Sequence, residues 1–257
     1  MSQPTTPTLI SIRNKSSLSD KAVSEAIAAV GKQLARDYAP VWGLSPGLEF
    51  VPEGQEANGN AFGTIEEIPN DNLDYLGFHS MDYDGTITGT MGAAYFRVFV
   101  TREGDWRSTL SHEVLELCLN PAANRWADGV NGKEHAMEAS DADESSTYNI
   151  DGIPCSNFVY PAFFNAFAGK GDRLDHMGNL STPLETGKAG YQIVRTMPSE
   201  VEQIYNSHSS LGHSVYEVVH AEDRHDKKTI LVIFGREYPE EKKLGKISKV
   251  RSRFTDI

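Results

Sequence analysis

Cysteine is nearly missing from this chain: its 257 residues include two, Cys118 and Cys155. That count excludes a disulfide framework and a cysteine-rich metal site. Long apolar runs are missing too, and no stretch approaches the ~18 apolar residues of a membrane helix. Met1 to Pro7 carry neither the basic start nor the apolar stretch of a signal peptide, so secretory export is not expected. Positive charge is scarce, with 24 Lys and Arg against 36 Asp and Glu, a net charge of -12. It is also uneven. Residues 224–257 hold ten basic and five acidic residues, so the tail is +5 and the body -17. An acidic body argues against nucleic acid as the main partner and favours cations or basic surfaces. The basic tail suits an acidic neighbour or, equally, a solvated terminal segment. No internal repeat and no low-complexity tract is present. With 39% hydrophobic residues, the chain can build one large domain, or one domain with a small appendage.

The periodicity predicts an α+β order. A first strand covers Leu9–Asn14, and the capping residues Ser16 to Asp20 open a long helix from about Lys21 to Tyr38. Val23, Ile27, Val30 and Leu34 give that helix its apolar stripe, and Pro40 is expected to end it. Short strands follow at Leu48–Pro52, Gly63–Pro69, Leu73–Met81 and Ala93–Val100, the last the clearest. Turn chemistry at Asn70–Asn72 and a polar loop from Asp82 to Thr90 separate them. A mixed sheet covered by the long helix is the expected core, with the strand before the second helix as a possible edge for an extended peptide.

The second helix, from Trp106 to Asn120, carries the chemistry. His112 and Glu116 lie at i and i+4, one turn apart on one face. Leu110, Val114, Leu117 and Cys118 are expected on the opposite, core-facing side, with Cys118 a buried thiol. A His and a carboxylate at this spacing can reach one cation. Glu113, directly after the His, stands where His-Glu-x-x-His zinc hydrolases keep the residue that activates water. Here Glu116 replaces the second His, and carboxylate oxygen is a harder ligand than imidazole.

A third ligand is expected from the acidic cluster Glu134, Glu138, Asp141, Asp143 and Glu144. Glu138, 22 residues after Glu116, is one candidate and Asp141 the other. Calcium is the alternative cofactor to zinc, since closely spaced carboxylates suit it. A solvated acidic loop is the bland alternative. Beyond it, Tyr148 to Ile153 reads as strand and turn, and the aromatic run Phe158 to Phe167 as packing under the site. Residues 169–199 read as irregular, with His176 at the surface, and Val215–His220 with Thr229–Phe234 as a hairpin. His208, His213, His220 and His225 lack ligand spacing. The expected division is therefore 1–168, a metal-binding domain, and 169–257, an extension with a basic tail.

Two stretches together resemble a known set. One is Trp106 to Glu116, ending at Asn120-Pro121; the other runs from Glu138-Ala139-Ser140-Asp141 through Tyr148 to Gly152 and Ser156 to Phe164. They resemble zincin-like proteins of phages and bacteria that carry a Ser-His-Glu-Val-Leu-Glu helix, and the resemblance covers about residues 73–164. It implies a zincin-like fold, zinc on His112 and Glu116, Glu113 as the water-activating base, and Glu138 and Asp141 at the later acidic positions. It also implies a slow peptidase with a peptide or protein substrate, or a structural part of a phage particle that meets virion proteins through the basic tail. The virion or the cytoplasm of a host is the location it implies.

Overall fold

The computed structural model describes residues 6–67, 76–82, 95–101, 104–130, 132–188, 190–197, 200–205, 213–217, 221–222 and 228–229. The expected turn at 70–72, nearly all of the loop at 82–90 and most of the basic tail lie outside them.

The chain is a mixed α+β protein. A five-stranded sheet is built from β1 (Leu9–Lys15), β2 (Gly47–Phe50), β3 (Ala61–Glu66), β4 (Gly77–Asp82) and β5 (Tyr95–Thr101), in the order β2-β1-β3-β5-β4. Neighbours are parallel except β4, which runs antiparallel to β5. Thus β5, the expected edge, is interior. Among the described residues of this sheet, β4 and β2 are the strands with a sheet neighbour on one side only, and β4 is the one beside β5.

Helix α1 (Asp20–Gln33) starts where Ser19 accepts the Ala22 N–H. It continues through a π-helical turn, Leu34–Tyr38, into a short helix α2 (Ala39–Trp42). Pro40 does not end the helical run as expected. It falls in the first turn of α2, where a missing N–H is tolerated. Gly43 ends the run instead, with φ 68° and its N–H on the Ala39 carbonyl at 2.8 Å. Helix α3 (Trp106–Leu119) carries His112, Glu113 and Glu116.

Both helices pack with the sheet in one core. Ile10 and Ile12 of β1, Ile65 of β3 and Val98 and Val100 of β5 meet Val23, Ile27 and Val30 of α1 and Leu110, Val114 and Leu117 of α3. Tyr38 bonds the Leu115 carbonyl at 3.1 Å and ties the helices together.

A second sheet follows α3, formed by β6 (Trp126–Asp128), β7 (Glu134–Ala136), β10 (Tyr191–Met197), β11 (Glu200–Tyr205) and β12 (His213–Glu217), ordered β12-β11-β10-β7-β6 and antiparallel throughout. Strand β10 replaces part of the irregular stretch expected at 169–199. Its pairing with β7 crosses residue 168, and Arg195 of β10 reinforces it by a two-armed contact with Glu134, at 2.8 and 3.2 Å. A hairpin of β8 (Thr147–Ile150) and β9 (Ile153–Ser156) turns on Asp151 and Gly152, both with positive φ, 53° and 82°. Most of the expected terminal hairpin, 218–220 and 230–234, lies outside the described residues. β12 pairs with β11, while β13 (Ala221–Glu222) pairs with β14 (Lys228–Thr229). Among the described residues, no helix is long and apolar enough to cross a membrane.

Candidate metal centre

Strand register builds one wall of the site. In the row Ile12–Gly63–Val98–His79, paired residues of neighbouring strands share a face. Ile12 and Val98 belong to the core, so His79 of β4 also faces it, beneath α3. Gly77, two residues earlier, lies on the same face. A Cβ on Gly77 would lie 2.8 Å from Glu113 Cγ and 2.7 Å from Thr109 Cγ2. Glycine is what lets α3 rest directly on this strand.

The helix itself is held in place by polar contacts. Ser111 donates to Gln33 of α1 at 2.7 Å and accepts the Ser156 N–H at 2.9 Å. Asn120 closes α3, with its N–H on the Glu116 carbonyl at 2.7 Å. Its side-chain oxygen accepts the Asn124 and Arg125 N–H groups at 2.9 Å each. Its amide donates to Glu138 Oε1 at 3.0 Å. The two-sided helix expected from the sequence is not what forms. Leu110 to Leu119 are all buried, because β4 and the segment at 138–141 cover the polar side.

The expected residues converge unevenly. His112 Nε2 lies 3.1 Å from Glu116 Oε1 and 3.1 Å from Asp141 Oδ1. Glu138 lies instead beside His79, with Oε2 3.5 Å from Nε2. Glu116 joins the two halves: Oε1 faces His112 and accepts the Ser140 N–H at 3.2 Å, while Oε2 is 3.5 Å from His79 Nδ1. Among the described residues, two groups therefore offer ligand atoms within 4.8 Å of one another, His112–Glu113–Glu116 and His79–Glu116–Glu138. His79 was legible only as a strand residue; the signal that picks it out is its alternation with Gly77 on a strand beside the helix.

The electrostatics follow from burial. Burial by itself lowers the pKa of both imidazoles. The carboxylates they face, led by Glu138 at His79 and Glu116 at His112, outweigh it and hold both well above the usual histidine value. Burial raises the Glu113 and Asp141 carboxyls and pushes Glu138 up to about 8. Glu116 is depressed against its own burial by His112 and His79.

The remaining acidic residues do other work. Asp143 is buried in a network of amides, and Glu134 pairs with Arg195, so the cluster is not a solvated loop. Cys118 and Cys155 are free and buried. Phe158 and Phe163 are buried as expected, but Phe167 is exposed. His176 is not a bare surface residue; its ring stacks on Phe158 at 5.0 Å between centroids and lies 4.7 Å from Tyr148.

No family model matches the chain, and no curated protein or solved structure matches it.

Proposed function

We propose that this protein is a zincin-like, zinc-dependent hydrolase of peptide bonds, with the cation held by His112 Nε2, Glu116 Oε1 and Asp141 Oδ1. The observation that carries this is the placement of His112 Nε2, 3.1 Å from Glu116 Oε1 and 3.1 Å from Asp141 Oδ1. Ligand atoms around one tetrahedral zinc stand about 3.4 Å apart, given bonds of ~2.1 Å. The imidazole favours zinc or a related first-row cation over calcium, which takes oxygen ligands. Such a cation supplies a Lewis acid and a water of lowered pKa. His112 retains 8% exposure while Glu116 has none, so the site opens on the histidine side.

Glu113 is placed to take a proton. Its carboxylate belongs to the same group as His112 and Glu116, and burial raises its pKa towards the range useful for a base. Strand β4 gives an extended peptide a sheet edge beside α3. The carboxylate in place of a second histidine neutralises more of the cation's charge, which favours slow turnover.

Replacing Glu113 with Gln tests the assignment. Cleavage of a casein-type substrate should fall at least ~100-fold while the zinc content of the chain is kept. Undiminished cleavage by Glu113→Gln would overturn the role of base.

A further inference from the structure

We propose that the centre takes two divalent cations, the second on His79, Glu116 and Glu138, with Glu116 bridging one oxygen to each. It rests on the cation reading of the first site, with which it shares Glu116.

Unpartnered atoms carry the argument. His79 Nδ1, Glu113 Oε2, Glu116 Oε2 and Glu138 Oε2 are all buried without a hydrogen-bond partner. Their residues are 1%, 3%, 0% and 4% exposed, so water does not satisfy them from outside. A buried polar atom without a partner is costly, and four of them in one place point to a ligand. Their spacing agrees. His79 Nδ1 lies 3.5 Å from Glu116 Oε2 and 3.6 Å from Glu113 Oε2, Glu138 Oε2 lies 3.5 Å from Nε2 of the same ring, and His79, Glu116 and Glu138 offer ligand atoms within 4.8 Å of one another. The Nδ1 separations are too long for hydrogen bonds, yet close to the ~3.4 Å between ligands that share one small cation.

The orientation of His79 supports the same assignment. Its Nε2 lies 3.1 Å from the Asn120 carbonyl, which only accepts. With Nε2 donating there, the neutral ring turns a lone pair on Nδ1 towards the carboxylates. A metal-ligating histidine is typically oriented this way by a backbone carbonyl behind it. The Asn120 amide holds Glu138 Oε1 in turn and leaves Oε2 free to bind.

Charge balance is met by two cations once the rings are neutral. Glu113, Glu116, Glu138 and Asp141 bring four carboxylates into a buried volume with two imidazoles. One divalent cation leaves two negative charges uncompensated when both rings are neutral, and two cations leave none. A carboxylate that gives one oxygen to each metal is also a feature of two-metal hydrolases, whose ions stand ~3.5–4 Å apart. The donor set, imidazole with carboxylates, selects first-row divalent ions such as Zn²⁺ or Mn²⁺.

The test is the stoichiometry of Zn²⁺ on the full chain, stripped by chelator, reloaded and measured by elemental mass spectrometry. Two zinc ions per chain are expected in the wild type, and one in each of His79→Ala, Glu138→Gln and His112→Ala. Because His79 is fully buried, the wild-type figure is decisive even if that variant fails to fold. A second wild-type reading comes from Co²⁺: paired ions on one carboxylate give magnetically coupled paramagnetic resonance signals, and isolated ions do not. One zinc per wild-type chain, lost in His112→Ala and kept in Glu138→Gln, overturns the second site and leaves the first. No zinc in the wild type overturns both.

Discussion

Asp141 and Asp143 stand two residues apart in one turn, yet they enter two opposite kinds of buried acidic cluster. Asp143 joins Asp175 in a network supplied with donors. Asn157 Nδ2 donates to Asp143 Oδ2 at 2.8 Å and to Asp175 Oδ2 at 2.7 Å, and Asn179 Nδ2 adds a bond to Asp143 Oδ2 at 2.8 Å. The Asn179 and Leu180 N–H groups donate to Asp175 at 3.0 Å each. Asp141 instead joins Glu113, Glu116 and Glu138, whose only facing groups of opposite charge are His79 and His112 among the described residues. Where carboxylates serve the fold, amides satisfy them one by one. Where they are left with unpartnered oxygens, as around His79, the groups could hold a metal ion.

The largest effect separating the two clusters should come from Asp175→Ala. Asp175 has no exposure, and its removal strands two backbone N–H groups and takes one of two acceptors from the buried Asn157 amide. Bonds to a charged group contribute about 1.5–3 kcal/mol each, with overlap among neighbours, so a loss of about 3–5 kcal/mol is expected in urea unfolding. The loss should be the same with and without a chelator. A loss below about 1 kcal/mol would mean that this network does not hold segment 169–190 to the body.

Next in size, and opposite in sign, is Glu138→Gln. In chelated protein it removes a carboxyl whose ionised form burial disfavours, its pKa being pushed up to about 8, while the amide oxygen can still accept from Asn120. We expect a gain of about 1–2 kcal/mol, since neutral groups often replace buried charges at a profit in stability. With zinc present the sign should reverse, because ligand binding to the native state no longer adds its share. Urea melts in EDTA and in excess zinc check both arms, and destabilisation in EDTA would remove the contrast between the clusters.

The sequence exposed the parts of this arrangement that depend on local periodicity. β1, α1, β5 and α3 follow from short-range patterns, and His112 and Glu116 follow from helical spacing alone. What it hid depends on long-range pairing. His79 joins the centre through the register of β4 on β5, 33 residues before His112, and no spacing rule spans that distance. Pro40 misled because a π-helical turn ahead of it reset the helix. The order of residues 169–190 was invisible for a related reason. It lacks a periodic element, and is fixed instead by Asp175, by Leu174 and Leu180 in a small apolar cluster, and by Gly190, packed so close to the Ala142 carbonyl that a Cβ would overlap it.

The smallest effect sharpens the account of the satisfied cluster. Asn157 and Asn179 each donate to the same oxygen, Asp143 Oδ2, at the same 2.8 Å. Their surroundings differ: Asn157 is 1% exposed, whereas Asn179 is exposed. When Asn179 is cut to Ala, water can replace the lost amide, so a loss of about 0.5–1 kcal/mol is expected. When Asn157 is cut to Ala, no water reaches its place, both Asp143 and Asp175 lose a donor, and the loss should be about 2–3 kcal/mol. Equal losses in the two variants would show that distance alone sets these energies. A clear excess for Asn157→Ala would show that the supply of donors inside the protein is what lets these carboxylates stay buried, the condition that the oxygens around His79 do not meet.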